Sequence, residues 1–192
     1  MAKLNVGHEK AFTLIELMIT IAITSILASV ALPAYTSLVR TAKIASYTSQ
    51  LQAALLMTRS EAIKRGRSVT ICRSSNANTG SPRCADVLSD PQINAGWGDG
   101  WLIFVDANND NIYSSDELLI HVQGSMISPV AAGSIIPFPN RNRLTYNSTG
   151  QIFGVFMRFV ISRPFSDADG SHDRFICIAS GGRARVANSS CS

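Results

Sequence analysis

The stretch GGRARV carries two guanidinium groups, Arg183 and Arg185, two residues apart and directly behind the turn signal Gly181–Gly182. On an extended chain, side chains two apart leave the same face. Two forks on one face suit contact with backbone phosphates. Arg141 and Arg143 repeat the spacing in PNRNRL. From Arg141 onward seven Arg stand against three Asp, which accounts for the whole net charge of +4, so the basic character belongs to the C-terminal third. A second candidate is DANNDNIYSSDE, Asp106–Glu117, whose oxygen donors fall at the first, third, fifth, ninth and twelfth places, as in a calcium loop. Its sixth place is Asn111 rather than Gly and its eighth is Tyr113, so an acidic hairpin turn is expected there, with no metal. Catalysis has little to build on. Beyond residue 11 only His121 and His172 remain, and His172 between Ser171 and Asp173 is a sequential neighbour, whereas a triad needs spatial ones. Without a nucleotide loop or metal cluster, no enzyme and no cofactor are expected. Trp97 and Trp101, set among glycines, are expected to be turn and core residues.

The four cysteines are Cys72, Cys84, Cys177 and Cys191, with no C-x-x-C, which argues against zinc. An even count behind an exported N-terminus suggests two disulfides, and three pairings are possible. Cys72–Cys84 and Cys177–Cys191 are favoured because each closes a short local loop. The second would pin a Ser- and Asn-rich C-terminus that would otherwise fray.

These sites need elements to hold them, and the first is unusual. KAFTLIELMITIAITSILASVALPAY, Lys10–Tyr35, contains an apolar run from Phe12 to Leu32 broken by one charge, Glu16. A charge at a bilayer centre costs about 2.5–3.5 kcal/mol on insertion scales. A secretory signal peptide would use Lys3, Lys10, the run Leu14–Leu27 and the small residues Ser29–Ala31, but leaves Glu16 unexplained. So does a plain membrane anchor, although the length suits one. A third reading uses the whole stretch: a polar leader, then an apolar helix that continues past the membrane edge. Beyond Pro33, apolar or small residues recur at Tyr35, Leu38, Ala42, Ala45, Leu51, Leu55 and Ala62, close to a 3.6 period, with Gly66 as a stop. Pro33 can kink such a helix without ending it.

AFTLIEL and its flanks closely resemble type IV prepilins and type II secretion pseudopilins. The resemblance implies cleavage by prepilin peptidase between Ala11 and Phe12 and methylation of the Phe12 amino terminus. Ala11 stands where that family nearly always has Gly; its small size is retained, so processing is expected. The resemblance also implies that Glu16 pairs with the amino terminus of Phe12 or of a neighbouring subunit inside a helical filament, where a cation makes the buried carboxylate tolerable.

After Gly66, β-rich runs alternate with turn residues: Ser68–Cys72, Trp101–Val105, Leu118–Val122, Ile135–Phe138, Leu144–Asn147, Phe156–Ser162, Phe175–Ala179 and Ala184–Val186. The expected fold is α+β and type IV pilin-like: a long N-terminal helix, half membrane-spanning and half amphipathic, packed on antiparallel sheets. The parts are a leader (1–11), a transmembrane or filament-core helix (12–33), an amphipathic half (34–66) and a globular β-rich domain (67–192). TRSEAIKRG, GWLIFVDANND, LTYNSTGQI and FICIASGGRARV, in that order, narrow the resemblance to the FimT/FimU/GspH branch. This branch implies a minor pilin that helps initiate pilus assembly, with other major and minor pilins as partners. It implies residence in the inner membrane before assembly and in the extracellular pilus afterwards. In FimT-type pilins of transformable bacteria a C-terminal Gly-Arg-x-Arg motif binds DNA, which here falls on Gly182, Arg183 and Arg185, with Arg141 and Arg143 as helpers on double-stranded DNA. The alternative is a GspH-like pseudopilin of type II secretion without DNA binding. Replacing Glu16 with Ala is expected to leave cleavage after Ala11 intact and to lower the share of chain recovered in sheared pili. Wild-type recovery would contradict the charge pairing.

Overall fold

The computed structural model describes residues 12–85, 96–127, 134–152, 156–162 and 173–191. Ala11, with the leader, and His172 lie outside them. One helix, α1, runs Leu14–Arg65 with Pro33 inside it, and the chain divides into two compact units, Met1–Arg40 and Thr41–Ser192. Within the first unit the helix is apolar on every side: Leu14, Met18, Ile23 and Leu27 are all more than half exposed. An 18-residue window reaches a mean hydropathy of 2.2, long and apolar enough to cross a membrane by length and composition. Its few hydroxyls do not disturb this. Thr20, Thr24, Ser25 and Ser29 each donate to a carbonyl three or four residues back at 2.7–2.8 Å, so their polar hydrogens need no water.

The second unit begins with the remainder of α1, which buries Ile44, Tyr47, Thr48, Leu51, Ala54, Leu55, Thr58 and Ala62. Successive steps of three and four residues make one stripe. The stripe corrects the expected one upstream of Leu51: Ala42 and Ala45 are exposed, and so are Tyr35 and Leu38. Ile44 and Tyr47 offer far more apolar area than two alanines, and the helix turns that side inward. The helix stops in a Schellman geometry. Gly66 adopts φ 63°, its N–H donates to the Ile63 carbonyl, and Arg67 N–H donates to that of Ala62, both at 3.3 Å.

Among the described residues eight strands follow: β1 (Val69–Arg73), β2 (Trp101–Val105), β3 (Leu119–Gln123), β4 (Ser134–Phe138), β5 (Arg143–Tyr146), β6 (Met157–Ser162), β7 (Arg174–Ile178) and β8 (Ala184–Ala187). They form two four-stranded antiparallel sheets, β3-β2-β1-β5 (sheet 1) and β4-β6-β7-β8 (sheet 2). Every β-rich run expected from the sequence is a strand, within a residue or so at each end. The helix stripe and one face of each sheet share a single core, including Leu51 and Leu55, Ile71 and Ile103, and Phe159 and Ile176. The other faces of the sheets differ. On sheet 1, Cys72, Leu102 and Phe104 form a second cluster against Cys84, Tyr113, Leu119 and Val122, so β1 and β2 are buried on both sides. On sheet 2, β6 alternates buried and half-buried, leaving its outer face open.

Trp97 and Trp101 are each 1% exposed and pack within the main core, which makes them reporters of its integrity. Leu55→Ala should destabilise the chain by about 2–5 kcal/mol. Its neighbour Leu56 is 45% exposed, and Leu56→Ala should stay within about 0.5 kcal/mol. Denaturant unfolding followed by tryptophan fluorescence checks both; equal losses would contradict the assigned stripe.

Candidate functional site

β7 and β8 are joined by a tight turn in which Gly182 N–H donates to the Ala179 carbonyl at 2.8 Å. Only glycine fits at position 182. Its φ is 77°, and a Cβ there would stand 2.0 Å from the carbonyl oxygen of Gly150. The segment it touches is shaped by Asn147, whose Oδ1 accepts from the Thr149 and Gln151 N–H groups. Ile152 N–H then donates to the Ser180 carbonyl at 3.0 Å, tying that segment to the β7–β8 turn. Arg183 leaves this braced turn and Arg185 follows on β8; both are exposed, while Ala184 between them is buried. Among the described residues neither arginine has an ion-pair partner. The four strands of sheet 2 contain no Asp or Glu at all.

Arg143 opens β5, an edge strand of sheet 1, and Arg141 stands two residues before it. The Trp97 indole N–H donates to the Arg141 carbonyl at 3.0 Å, and Trp97 itself meets Phe159 edge-on at 5.1 Å. The turn carrying Trp97 is held by Arg73, only 3% exposed, which donates to the Gly96 carbonyl and pairs with Asp99 at 2.5 Å. Arg141 and Arg143 line an open cleft of about 500 Å³ whose lining also includes Asn111, Thr145 and the buried Asp106; Arg183 and Arg185 are not part of it. The two arginine pairs therefore lie at the starts of edge strands of different sheets.

The acidic loop turns its oxygens on itself. Glu117 accepts from the Ala107 and Ser114 N–H groups, Asp110 from Ile112, and Asn108 from Asp110. Asn109 and Asn111 take positive φ, which Asn tolerates better than other non-glycine residues. Asp106 Oδ2 accepts from the Asn111 N–H at 3.1 Å and from the Thr70 hydroxyl at 3.2 Å. Thr70 and Thr145 hydroxyls meet at 2.8 Å, and Thr145 donates to Asn111 Oδ1. Those three oxygen–oxygen contacts share two hydroxyl hydrogens, a count completed by a proton on Asp106 or by the Asn111 amide turned toward Thr145. Burial is the main cause that raises the Asp106 pKa, against the lowering effect of these donors. Among the described residues no His, Cys, Asp and Glu group could hold a metal. His121 is exposed on β3.

At the other end of the chain, Glu16 has a local partner that spacing could have revealed. Thr13 N–H and hydroxyl both donate to Glu16 Oε2 at 2.9 Å, and Glu16 N–H returns a bond to Thr13 Oγ1 at 3.3 Å. This is a reciprocal capping box, T-x-x-E, closing the first turn of α1. Cys72 is bonded to Cys84 and Cys177 to Cys191, with Cα separations of 5.5 and 5.8 Å.

Comparison with known proteins decides the family. The model of the type II transport protein GspH family matches residues 48–182, more than half of the chain. The chain belongs to the GspH family. The prokaryotic N-terminal methylation motif matches residues 7–32, which carry the apolar start of α1. Two crystal forms of the type IV minor pilin FimU from Pseudomonas aeruginosa share its fold. One is 20% identical with a TM-score of 0.52, over 75% of this chain and 87% of that one. The other is 19% identical with a TM-score of 0.50, over 74% and 90%. No curated protein matches. This GspH-family member is thus a pilin or pseudopilin with the FimU fold: a long N-terminal helix packed on antiparallel sheets. The methylation motif implies pilin partners and prepilin peptidase processing, and the apolar helix fits anchoring in the inner membrane.

The cleft carboxylate of this GspH-family domain gives a pH test. A carboxyl whose folded pKa is raised contributes most below its unfolded value, near 3.8, and that contribution is lost as pH rises through the folded value. The stability of Asp106→Asn relative to wild type should therefore grow as pH rises from about 3 to about 7. A melting-temperature difference that stays constant over that range would contradict the raised pKa.

Proposed function

We propose that this chain is a minor type IV pilin that helps prime pilus assembly, sits at or near the pilus tip and binds DNA there for natural transformation. Residues 1–11 serve as a leader removed between Ala11 and Phe12, and the Phe12 amino group is methylated. Residues 12–33 anchor the chain in the membrane and then in the filament core, residues 34–66 carry the helix into the globular domain, and residues 67–192 form that domain. Glu16 pairs with an amino terminus in the filament, exchanging its Thr13 capping bonds for a full cation.

The DNA assignment is carried by one observation: Arg183 and Arg185 are exposed and unpaired among the described residues, on strands free of acidic side chains. Arginines that stabilised the domain would be expected against a carboxylate or laid over apolar surface. Arg141 and Arg143 add phosphate contacts from β5. Guanidinium forks suit backbone phosphates, so the contact is to phosphates and independent of sequence. A type II secretion pseudopilin without DNA binding is the second reading, favoured by the description of the matched family.

The test is duplex binding over a salt series. Each neutralised phosphate contributes a slope of about −0.9 in log affinity against log salt, so four arginine contacts predict roughly −3 to −4. Arg183→Ala with Arg185→Ala should weaken binding to all sequences alike and make the slope about two units shallower. In a transformable host the double variant should lose DNA uptake and keep its pili. Loss of pili with unchanged DNA affinity, or a wild-type chain that ignores DNA at low salt, would favour the secretion reading.

A further inference from the structure

Strand register places more than two arginines on the outer face of sheet 2. Phe138 stands opposite Arg158, Arg158 opposite Cys177, and Cys177 opposite Arg185. Directly opposed residues share a face, so these four form one row across the sheet. Phe156 and Arg183 each precede a member of that row by two residues and belong to the same face. Arg183 continues the β8 ladder, its carbonyl accepting from Ala179 N–H. Met157, Ile178 and Ala184, on the alternate positions, point into the core.

The accessible side chains in these rows are rings at one side and cations across the rest: Phe138 and Phe156, then Arg158, Arg183 and Arg185. Phe138 and Phe156 are 48% and 46% exposed. Arg158 is half-buried, with its guanidinium 5.3 Å from the Phe138 ring centre and one N–H donated to Ser190 Oγ at 3.0 Å. The Cys177–Cys191 disulfide holds the tail carrying Ser190 against the same row. Arg158 thus braces the ring beside it and adds a third cation to Arg183 and Arg185.

Single exposed apolar residues are ordinary on a protein surface and need no partner. Two exposed phenylalanines beside three arginines, on strands without a carboxylate, are a different case. Cations alone would serve a duplex, whose bases are stacked away from the protein. Rings become useful when base faces are free, as on a single strand, where stacking and phosphate contacts act together.

We propose that the outer face of sheet 2 binds single-stranded DNA, stacking unpaired bases on Phe138 and Phe156 while Arg158, Arg183 and Arg185 hold the phosphates. The proposal rests on the DNA contact of Arg183 and Arg185 and adds to it the strand form and three further residues.

The full-length chain, purified in detergent, would be titrated with labelled oligothymidylate of about 16 nucleotides, near the upper site size of aromatic–basic strand grooves, and with a duplex of equal length. The single strand should bind more tightly than the duplex, by roughly tenfold. Phe138→Ala with Phe156→Ala should lower single-strand affinity by roughly thirtyfold, taking the low end of stacking on an aromatic ring for each. Its salt slope should not change, because no cation is lost, and duplex affinity should fall far less. Arg158→Ala should make the single-strand slope shallower by about 0.7. Phe138→Tyr with Phe156→Tyr, which keeps both rings, should restore binding; failure to restore it would contradict stacking. Equal affinity for the two strand forms, or a Phe double variant that binds as wild type does, would overturn the proposal and leave the phosphate contact in place. A wild-type chain that binds neither form would overturn the DNA reading itself and point to a protein partner for this face.

Discussion

Burial of one stripe of α1, from Ile44 to Ala62, is the interaction on which the globular unit depends. Leu51 and Leu55 are fully buried, and each contributes on the order of 1.5–3 kcal/mol relative to an exposed side chain. More important is what the stripe does to the sheets. Two four-stranded antiparallel sheets each need one face covered, and the helix shares a core with both inner faces. Once those faces are turned inward, period two dictates what the outer faces display.

The two outer faces then meet different fates. Sheet 1 covers its own: the Cys72–Cys84 disulfide draws a loop onto β1, and Tyr113 packs on Phe104 with ring centres 5.4 Å apart. Sheet 2 is crossed only by its short tail among the described residues, fixed through Cys177–Cys191. Its most exposed outer positions, Phe138, Phe156, Arg183 and Arg185, are rings and cations rather than the mixed charges of an ordinary solvated face. Gly182 is the joint between the sheets' edges, because a side chain there would collide with Gly150 and push the Arg183 turn away from β5.

Much of this was legible in the sequence. Strand positions were, since Met157, Phe159 and Ile161 alternate with Arg158, Val160 and Ser162, and a two-residue period has few other interpretations. The GGRARV turn was legible for a similar local reason. The helix stripe was less so, because small alanines fit either side of a helix and gave a false start at Ala42 and Ala45. The capping role of Thr13 was visible as T-x-x-E but was obscured by the filament role expected of Glu16. The Arg73–Asp99 pair and the place of Arg158 in one row with Arg185 across β7 were not legible at all. Both depend on strand register across long loops, which local patterns do not encode.

The central claim is that the outer face of sheet 2 is the DNA-contacting surface. Arginine side-chain N–H signals of the isotope-labelled chain, recorded while an oligonucleotide is added, test it directly. The account predicts shifts at Arg158, Arg183 and Arg185 and none at the core-bound Arg73. Shifts confined to arginines of α1, or no arginine shift under conditions where DNA is bound, would contradict it.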